Sequence, residues 1–312
     1  MRLNTTSPTR AAIDIAVGLP TRLAAGRPDL LREWIARIEA GPFSSLAAGD
    51  RVVEASLEPL AVLATAAGMT RQVRLLASVV VAPNRETTLL ARQAASIDAI
   101  SNGRLTLGLG LGARPGDYAA TGSSFATRGL RFDEQLERLR AIWRGEGVAE
   151  DGRSVGPSPA RPGGPELLIG GYVDAVVRRV VAWGDGFMAP GGGDPGRMAE
   201  LWARTVSAWA DAGREGRPRW VAGSYFALGP DAGRAARAYV EEAYGHDPEL
   251  AARRLRGVPT TPSGVLELVE RQAAQGVDEL VLRPCSDDPD EVDRLAELVP
   301  SAGSRSPNRV RD

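Results

Sequence analysis

Lysine is absent from this chain: all 38 basic residues are arginine. There is one histidine, His246, and one cysteine, Cys285. Schiff-base catalysis and a Walker-type phosphate loop both need lysine, and a serine-histidine-aspartate triad needs a well-placed histidine. A single cysteine rules out an internal disulfide and a metal centre built on thiolates, and no metal site is expected. Charge of one sign is also missing. The 38 basic residues face 39 acidic ones for a formal net charge of −1, so the basic field expected of a nucleic-acid binder is not present. No run approaches the roughly 20 apolar residues of a membrane helix, and the first ten residues are polar, without the apolar centre of a secretory signal. These absences predict a cytoplasmic protein with a small-molecule substrate and no nucleic-acid or membrane partner. They also leave little acid–base equipment, which favours a cofactor carrying the difficult chemistry.

The residues that are present alternate in period. Short β-rich runs fall at 13–19, 43–48, 73–82, 104–110, 166–170, 186–189, 219–228 and 277–283, separated by longer amphipathic stretches. In one of these, Leu31, Trp34, Ile35 and Ile38 share a face; in another Phe132, Leu136, Leu139 and Trp143 do. Eight such units predict a (β/α)8 TIM barrel over residues 13–300, with an open doubly wound sheet as the alternative. Residues 1–12 read as a flexible N-terminus and 301–312 as a disordered polar tail. Extended loops are expected after strand 4 (111–126) and strand 7 (232–261), and a Gly/Pro/Ser-rich connection at 145–165.

Two segments stand out chemically. After the third strand and its helix, the fourth strand ends Gly108-Leu109-Gly110-Leu111-Gly112. Alternate glycines strip side chains from one face, either admitting a flat ligand close to the backbone or relieving crowding inside a narrow barrel. The fifth strand runs into Gly170-Gly171-Tyr172-Val173 and then a helix. That arrangement is an anion site if the first helical N–H groups are open, or an ordinary glycine turn if they are not. Asp174 stands in the first turn, where its carboxylate could compete for those groups.

The run from Arg92 to Leu105 (RQAASIDAISNGRL), the glycine strand after it, and LIGGY…WGDGF (168–187) together resemble the luciferase-like monooxygenases and their deazaflavin-dependent relatives. The resemblance extends from Ile13 to about Val299. It implies a barrel enzyme with FMN or coenzyme F420 at the strand ends, acting as an oxidoreductase or monooxygenase, and a homodimer is compatible with it. Small residues at Ser78 and Val79 lean the choice toward the deazaflavin, and the family position implies a cis peptide between them. The cofactor residues implied are Asp50, Ser78, Val79, Leu111, Gly112, Gly170, Gly171, Tyr172 and Val173, with the cofactor phosphate at the last four. Arg51 stands where relatives commonly carry a catalytic histidine, and a guanidinium cannot exchange protons at working pH. Arg51, Arg114 and Tyr118 are expected to contact substrate, and no catalytic acid or base is assigned. Ala113 replaces the glutamate of the sugar-phosphate dehydrogenases in the family, which argues against that activity. A non-catalytic flavin-binding barrel is the alternative function.

Overall fold

The computed structural model describes residues 13–146, 152–189, 191 and 194–299. The expectations for residues 1–12 and 301–312 lie outside that set. Eight strands, β1 (Asp14–Gly18), β2 (Ser45–Ala48), β3 (Arg74–Val81), β4 (Leu105–Gly110), β5 (Glu166–Gly170), β6 (Gly186–Met188), β7 (Arg219–Phe226) and β8 (Glu279–Pro284), close into an all-parallel barrel in sequential order. Their ends fall within two residues of the expected runs. An open sheet is thereby excluded, since β1 pairs with β8 from Asp14↔Glu279 to Val17↔Leu282.

The outer layer is helical: α1 (Pro28–Ala40), α2 (Pro59–Met69), α3 (Thr87–Ile100), α4 (Pro115–Thr121), α5 (Arg128–Trp143), α6 (Ala175–Trp183), α7 (Pro195–Asp211), α8 (Ala232–Tyr244), α9 (Pro248–Arg256), α10 (Pro262–Gln275) and α11 (Asp290–Ala296). Proline at the first turn and a capping side chain start several of them, as where Glu58, Asp194, Asp247 and Thr261 accept from amides of the first turn. Trp34, Ile35 and Ile38 of α1, and Phe132, Leu136 and Leu139 of α5, are fully buried against the outward faces of the strands.

Two segments read as loops are helical instead. The stretch after β4 contains α4, opened by Pro115 and closed by Gly122 in the left-handed region (φ 69°). The stretch after β7 holds α8 and α9, which share a small apolar cluster with Ala227, Val258 and Cys285. Their polar composition masked a narrow apolar stripe of alanine and valine at Ala232, Ala236 and Val240.

Inside the barrel, the period of two sorts each strand into levels. At the N-terminal end lies an ionic layer. Arg219 bridges Glu166 and Glu279 at 2.6 Å each, Arg74 reaches Glu166 at 2.9 Å, and Thr106 and Ser45 donate to Glu166 and Glu279. Burial pushes the Glu166 carboxyl up, but Arg219 and Arg74 outweigh it and hold its pKa at about 2. Above that layer, Ala16, Ala47, Leu76, Leu168, Met188, Val221 and Val281 form an apolar plug. The next inward positions, at the C-terminal mouth, are Gly18, Gly49, Ser78, Gly110, Gly170, Gly223 and Arg283.

Candidate active site

Five glycines at one level empty the mouth of side chains, and two residues enter the space they leave. Val79 enters on the β4–β5 side. A Cβ on Gly110 would stand 2.9 Å from its Cγ2 and one on Gly170 3.1 Å from its Cγ1, while one on Gly108 would meet the Ala77 carbonyl oxygen at 2.3 Å before Val79 at 3.3 Å. Gly110 therefore makes room for Val79 and Gly108 for the Ala77 backbone, so the crowding account holds for both. The Ser78–Val79 peptide is cis, as expected, and the β3–β4 register shifts between Ala77 and Val80.

Arg283 enters from the opposite side. Its Nη2 donates to the Ser78 carbonyl at 3.1 Å and to the Ser78 hydroxyl. A Cβ on Gly223 would stand 2.4 Å from its Nη1, and one on Gly18 2.8 Å from its Cγ. The side chain thus crosses the mouth from β8 to β3, over positions where β1 and β7 have no side chain. A fixed cation lies at the centre of the strand ends.

The expected site residues divide by place. Ser78, Val79 and Gly170 line the mouth itself. Asp50 sits at its rim, but its Oδ2 is taken by the Val81 amide (3.0 Å) and Arg85 (2.9 Å), so it fastens the end of β3. Leu111 is half-buried against the main core, and Gly112 turns the chain with φ 63° beside Val81. Tyr118 does not face open space. It is 1% exposed, with its hydroxyl donated to the Leu111 carbonyl and its ring edge-on to Phe125. The apolar neighbours Tyr118 meets come from folding of α4 against the barrel, which its loop-like sequence hid. Arg114 donates to the Ala243 carbonyl at 3.0 Å, tying α4 to the end of α8.

The loop after β5 is open. Tyr172 and Val173 are 44% and 55% exposed, and the amides of Tyr172, Val173, Asp174 and Ala175 meet no acceptor among the described residues. Asp174 does not cap them. It pairs instead with Arg197 (2.7 Å) and Arg204 (2.5 Å), which lower its pKa. Four amides without an acceptor among the described residues thus stand at the start of α6, beside a carboxylate held by two arginines, the arrangement in which helix starts can take an anion.

The sequence profile of the luciferase-like monooxygenases matches residues 7–302. The chain belongs to the luciferase-like monooxygenase family. Among curated relatives, an uncharacterized protein of Mycobacterium tuberculosis is 34% identical over 165 residues, 51% of this chain and 56% of that protein. A phthiodiolone/phenolphthiodiolone dimycocerosates ketoreductase of Mycobacterium tuberculosis is 26% identical over 173 residues, 52% of this chain and 45% of that protein. The chain thus spans about half the length of the curated relatives it matches. Two solved structures share the fold. Monooxygenase RslO1 from Streptomyces bottropensis has a TM-score of 0.74 at 21% identity, covering 92% of this chain and 97% of that one. An F420-dependent secondary alcohol dehydrogenase in complex with an F420–acetone adduct has a TM-score of 0.74 at 17% identity, covering 94% and 100%.

The β1–β2–β7 side of this mouth is built from arginine and tyrosine. Arg51 pairs with Glu54 (3.0 Å) and donates to the Tyr244 hydroxyl (3.3 Å), which lies 2.7 Å from that of Tyr225. Burial pushes the Tyr225 phenol well above its ordinary pKa, and Tyr244 and Tyr239 add to it, so it stays protonated. Sequence reasoning missed Arg283, Tyr225, Tyr239 and Tyr244. One signal was available: three of the chain's five tyrosines fall between positions 225 and 244. Among the described residues no helix is long and apolar enough to cross a membrane, and no group of three or more acidic, histidine or cysteine residues could hold a metal.

Proposed function

We propose that this luciferase-like protein is an oxidoreductase using coenzyme F420, with FMN as the competing cofactor, to transfer hydride to or from a small organic substrate at the barrel mouth. The observation that carries this reading is the mouth itself: glycines on five strands, a cation fixed across it by Ser78, and an open amide loop on one side. These residues suit a flat anionic ring with a phosphate arm. Backbone amides and arginines are the groups a lysine-free protein has for binding it.

When bound, the cofactor supplies or accepts the hydride. The chain's own residues do the rest. The amides of Tyr172 to Ala175 would hold its phosphate, Val79 would give its ring an apolar support, and Arg283 would offer a positive charge that favours an anionic reduced ring. Arg51, in place of a histidine, stays charged and moves no proton. The phenols of Tyr225 and Tyr244, whose hydroxyls lie 2.7 Å apart on the β7 side, offer hydroxyl groups that can hold a substrate oxygen. The F420–acetone adduct of the alcohol dehydrogenase that shares this fold supports the deazaflavin.

Fluorescence titration of the purified protein with coenzyme F420 and with FMN tests the proposal. Saturable binding of the deazaflavin at lower concentration than FMN is the expected result. Preference for FMN transfers the proposal to flavin chemistry, and binding of neither overturns it.

A further inference from the structure

The three tyrosines form an arc on the C-terminal face. Tyr225, at the end of β7, has its ring centre 5.3 Å from that of Tyr239 and 6.3 Å from that of Tyr244. Arginines from three other elements stand over this arc. Arg22, from the β1–α1 loop, lies 4.3 Å above the Tyr239 ring. Arg51, after β2, and Arg254, on α9, lie 5.5 and 5.3 Å from the Tyr244 ring.

Two of these guanidinium groups hold buried nitrogen atoms without a hydrogen-bond partner among the described residues. Arg22 has a side-chain exposure of 10%; its Nη1 is ion-paired with Glu242, while its Nε and Nη2 have no hydrogen-bond partner among the described residues, as is true of Nε and Nη1 of Arg254. The Glu242 carboxylate that pairs with Arg22 is itself 69% exposed, so it covers one face of the guanidinium only from the solvent side. Three cations therefore meet two carboxylates here, Glu242 and Glu54. Buried guanidinium donors left without acceptors cost free energy, and a ligand oxyanion would satisfy them through charge-assisted, forked hydrogen bonds.

Position separates this arc from the cofactor's phosphate loop. In the closed order of strands, β5 lies opposite β1, so an anion at Tyr172–Ala175 and one at Arg22 occupy opposite sides of the mouth. Arg283 crosses between them.

Resting on the reading that the mouth is the reacting centre, we propose that Arg22, Arg254 and Arg51 form a subsite for an oxyanion carried by the substrate, a carboxylate or a phosphate monoester, with the tyrosine rings packing its apolar or aromatic body. The substrate is then an organic acid or phosphate ester whose reacting carbon sits toward Arg283. Neutral alcohols and ketones of the same size bind poorly.

Isothermal titration of the full chain without cofactor, using benzoate, phenyl phosphate and benzyl alcohol as probes, tests this. At least one of the two anions is expected to bind more tightly than the alcohol, the tighter of them identifying the oxyanion. Arg22→Met and Arg254→Met, which keep the apolar stem and remove the charge, should each weaken that binding by about tenfold or more. Arg234→Met, an exposed control on α8, should leave it unchanged. Circular dichroism identifies any variant that fails to fold, and the other variant then decides. Equal binding of anions and alcohol, or undiminished anion binding in a folded Arg22→Met or Arg254→Met protein, overturns the subsite. Titration of the same variants with coenzyme F420 and FMN separates the two proposals: loss of oxyanion binding with intact cofactor binding supports the subsite, whereas cofactor failure in the unaltered chain refutes the function alone.

Discussion

Replacing Gly171 with valine tests the phosphate loop without dismantling the barrel. A Cβ at this position would stand 3.5 Å from Val176 Cβ and 3.6 Å from its Cγ2, ordinary packing distances, and the backbone is outside the left-handed region. Gly170 would be a poor choice, because its Cβ would meet Val79 at 3.1 Å and disturb the mouth. The valine branches at 171 would crowd the approach to the amides of Tyr172 and Val173. Losing one amide bond to a charged phosphate costs about 1.5 kcal/mol, so binding of coenzyme F420 or FMN should weaken about tenfold or more. Asp174→Asn is the companion. Its carboxylate is held by Arg197 and Arg204, so removing it withdraws a like charge and frees two cations beside the loop. Affinity should stay the same or rise. Fluorescence titration of both variants, with thermal melts to confirm folding, reads the result. Unchanged affinity in a folded Gly171→Val protein would place the phosphate elsewhere.

Other expectations follow from the charged layers and the mouth. Glu166 has its carboxyl held at about 2 against an ordinary 4.5, so its stabilisation, about 3 kcal/mol, is complete above pH 4.5 and drains as pH falls toward 2. In urea melts the stability gap between the native chain and Glu166→Gln should narrow across that window; a constant gap refutes the assignment. Arg283→Met should lower the midpoint potential of the bound cofactor by about 40 mV, the two-electron equivalent of a charge-assisted bond of about 2 kcal/mol. A potential that does not move would mean that the guanidinium lies away from the ring. Burial pushes the Tyr225 and Tyr239 phenols above 10 and the Cys285 thiol to about 12, while the one histidine is exposed in the α8–α9 turn. Turnover should therefore vary little between about pH 6 and 9, where none of these mouth groups changes charge. A steep limb inside that range would implicate a titrating group outside this set and refute the assignment.

The barrel was legible because its signals are local and repeated. Each strand is a short β-rich run followed by an amphipathic helix, and in a closed parallel barrel every such unit meets the same environment. The ends shifted by one or two residues where a polar position, such as Arg104 or Val277 with its neighbour Asp278, still fits a strand pattern but falls outside the ladder. The segment after β7 was misread for a different reason. Helices α8 and α9 bury only a few alanines, a valine and a tyrosine face against Cys285 and Val258, too narrow a stripe to register against the nine charged residues between positions 232 and 256.

The site was legible only where one strand–turn–helix unit carries it. Gly170 to Val173 announces itself because the glycines, the turn and the helix start are consecutive, and the amides that matter belong to the same few residues. Arg283 has no such local mark. Within its own strand it is one arginine among 38, next to Pro284. It becomes a residue of the mouth only because Gly18 and Gly223, on the neighbouring strands, leave the volume its side chain occupies, and because Ser78, 205 positions earlier, supplies the acceptors that hold it there. The arc of Arg22, Arg51 and Arg254 is a similar case, assembled from β1, β2 and α9 around rings from β7 and α8. Both depend on strand order around the barrel, so the charge and shape of this mouth follow from closure of the sheet more than from any single motif.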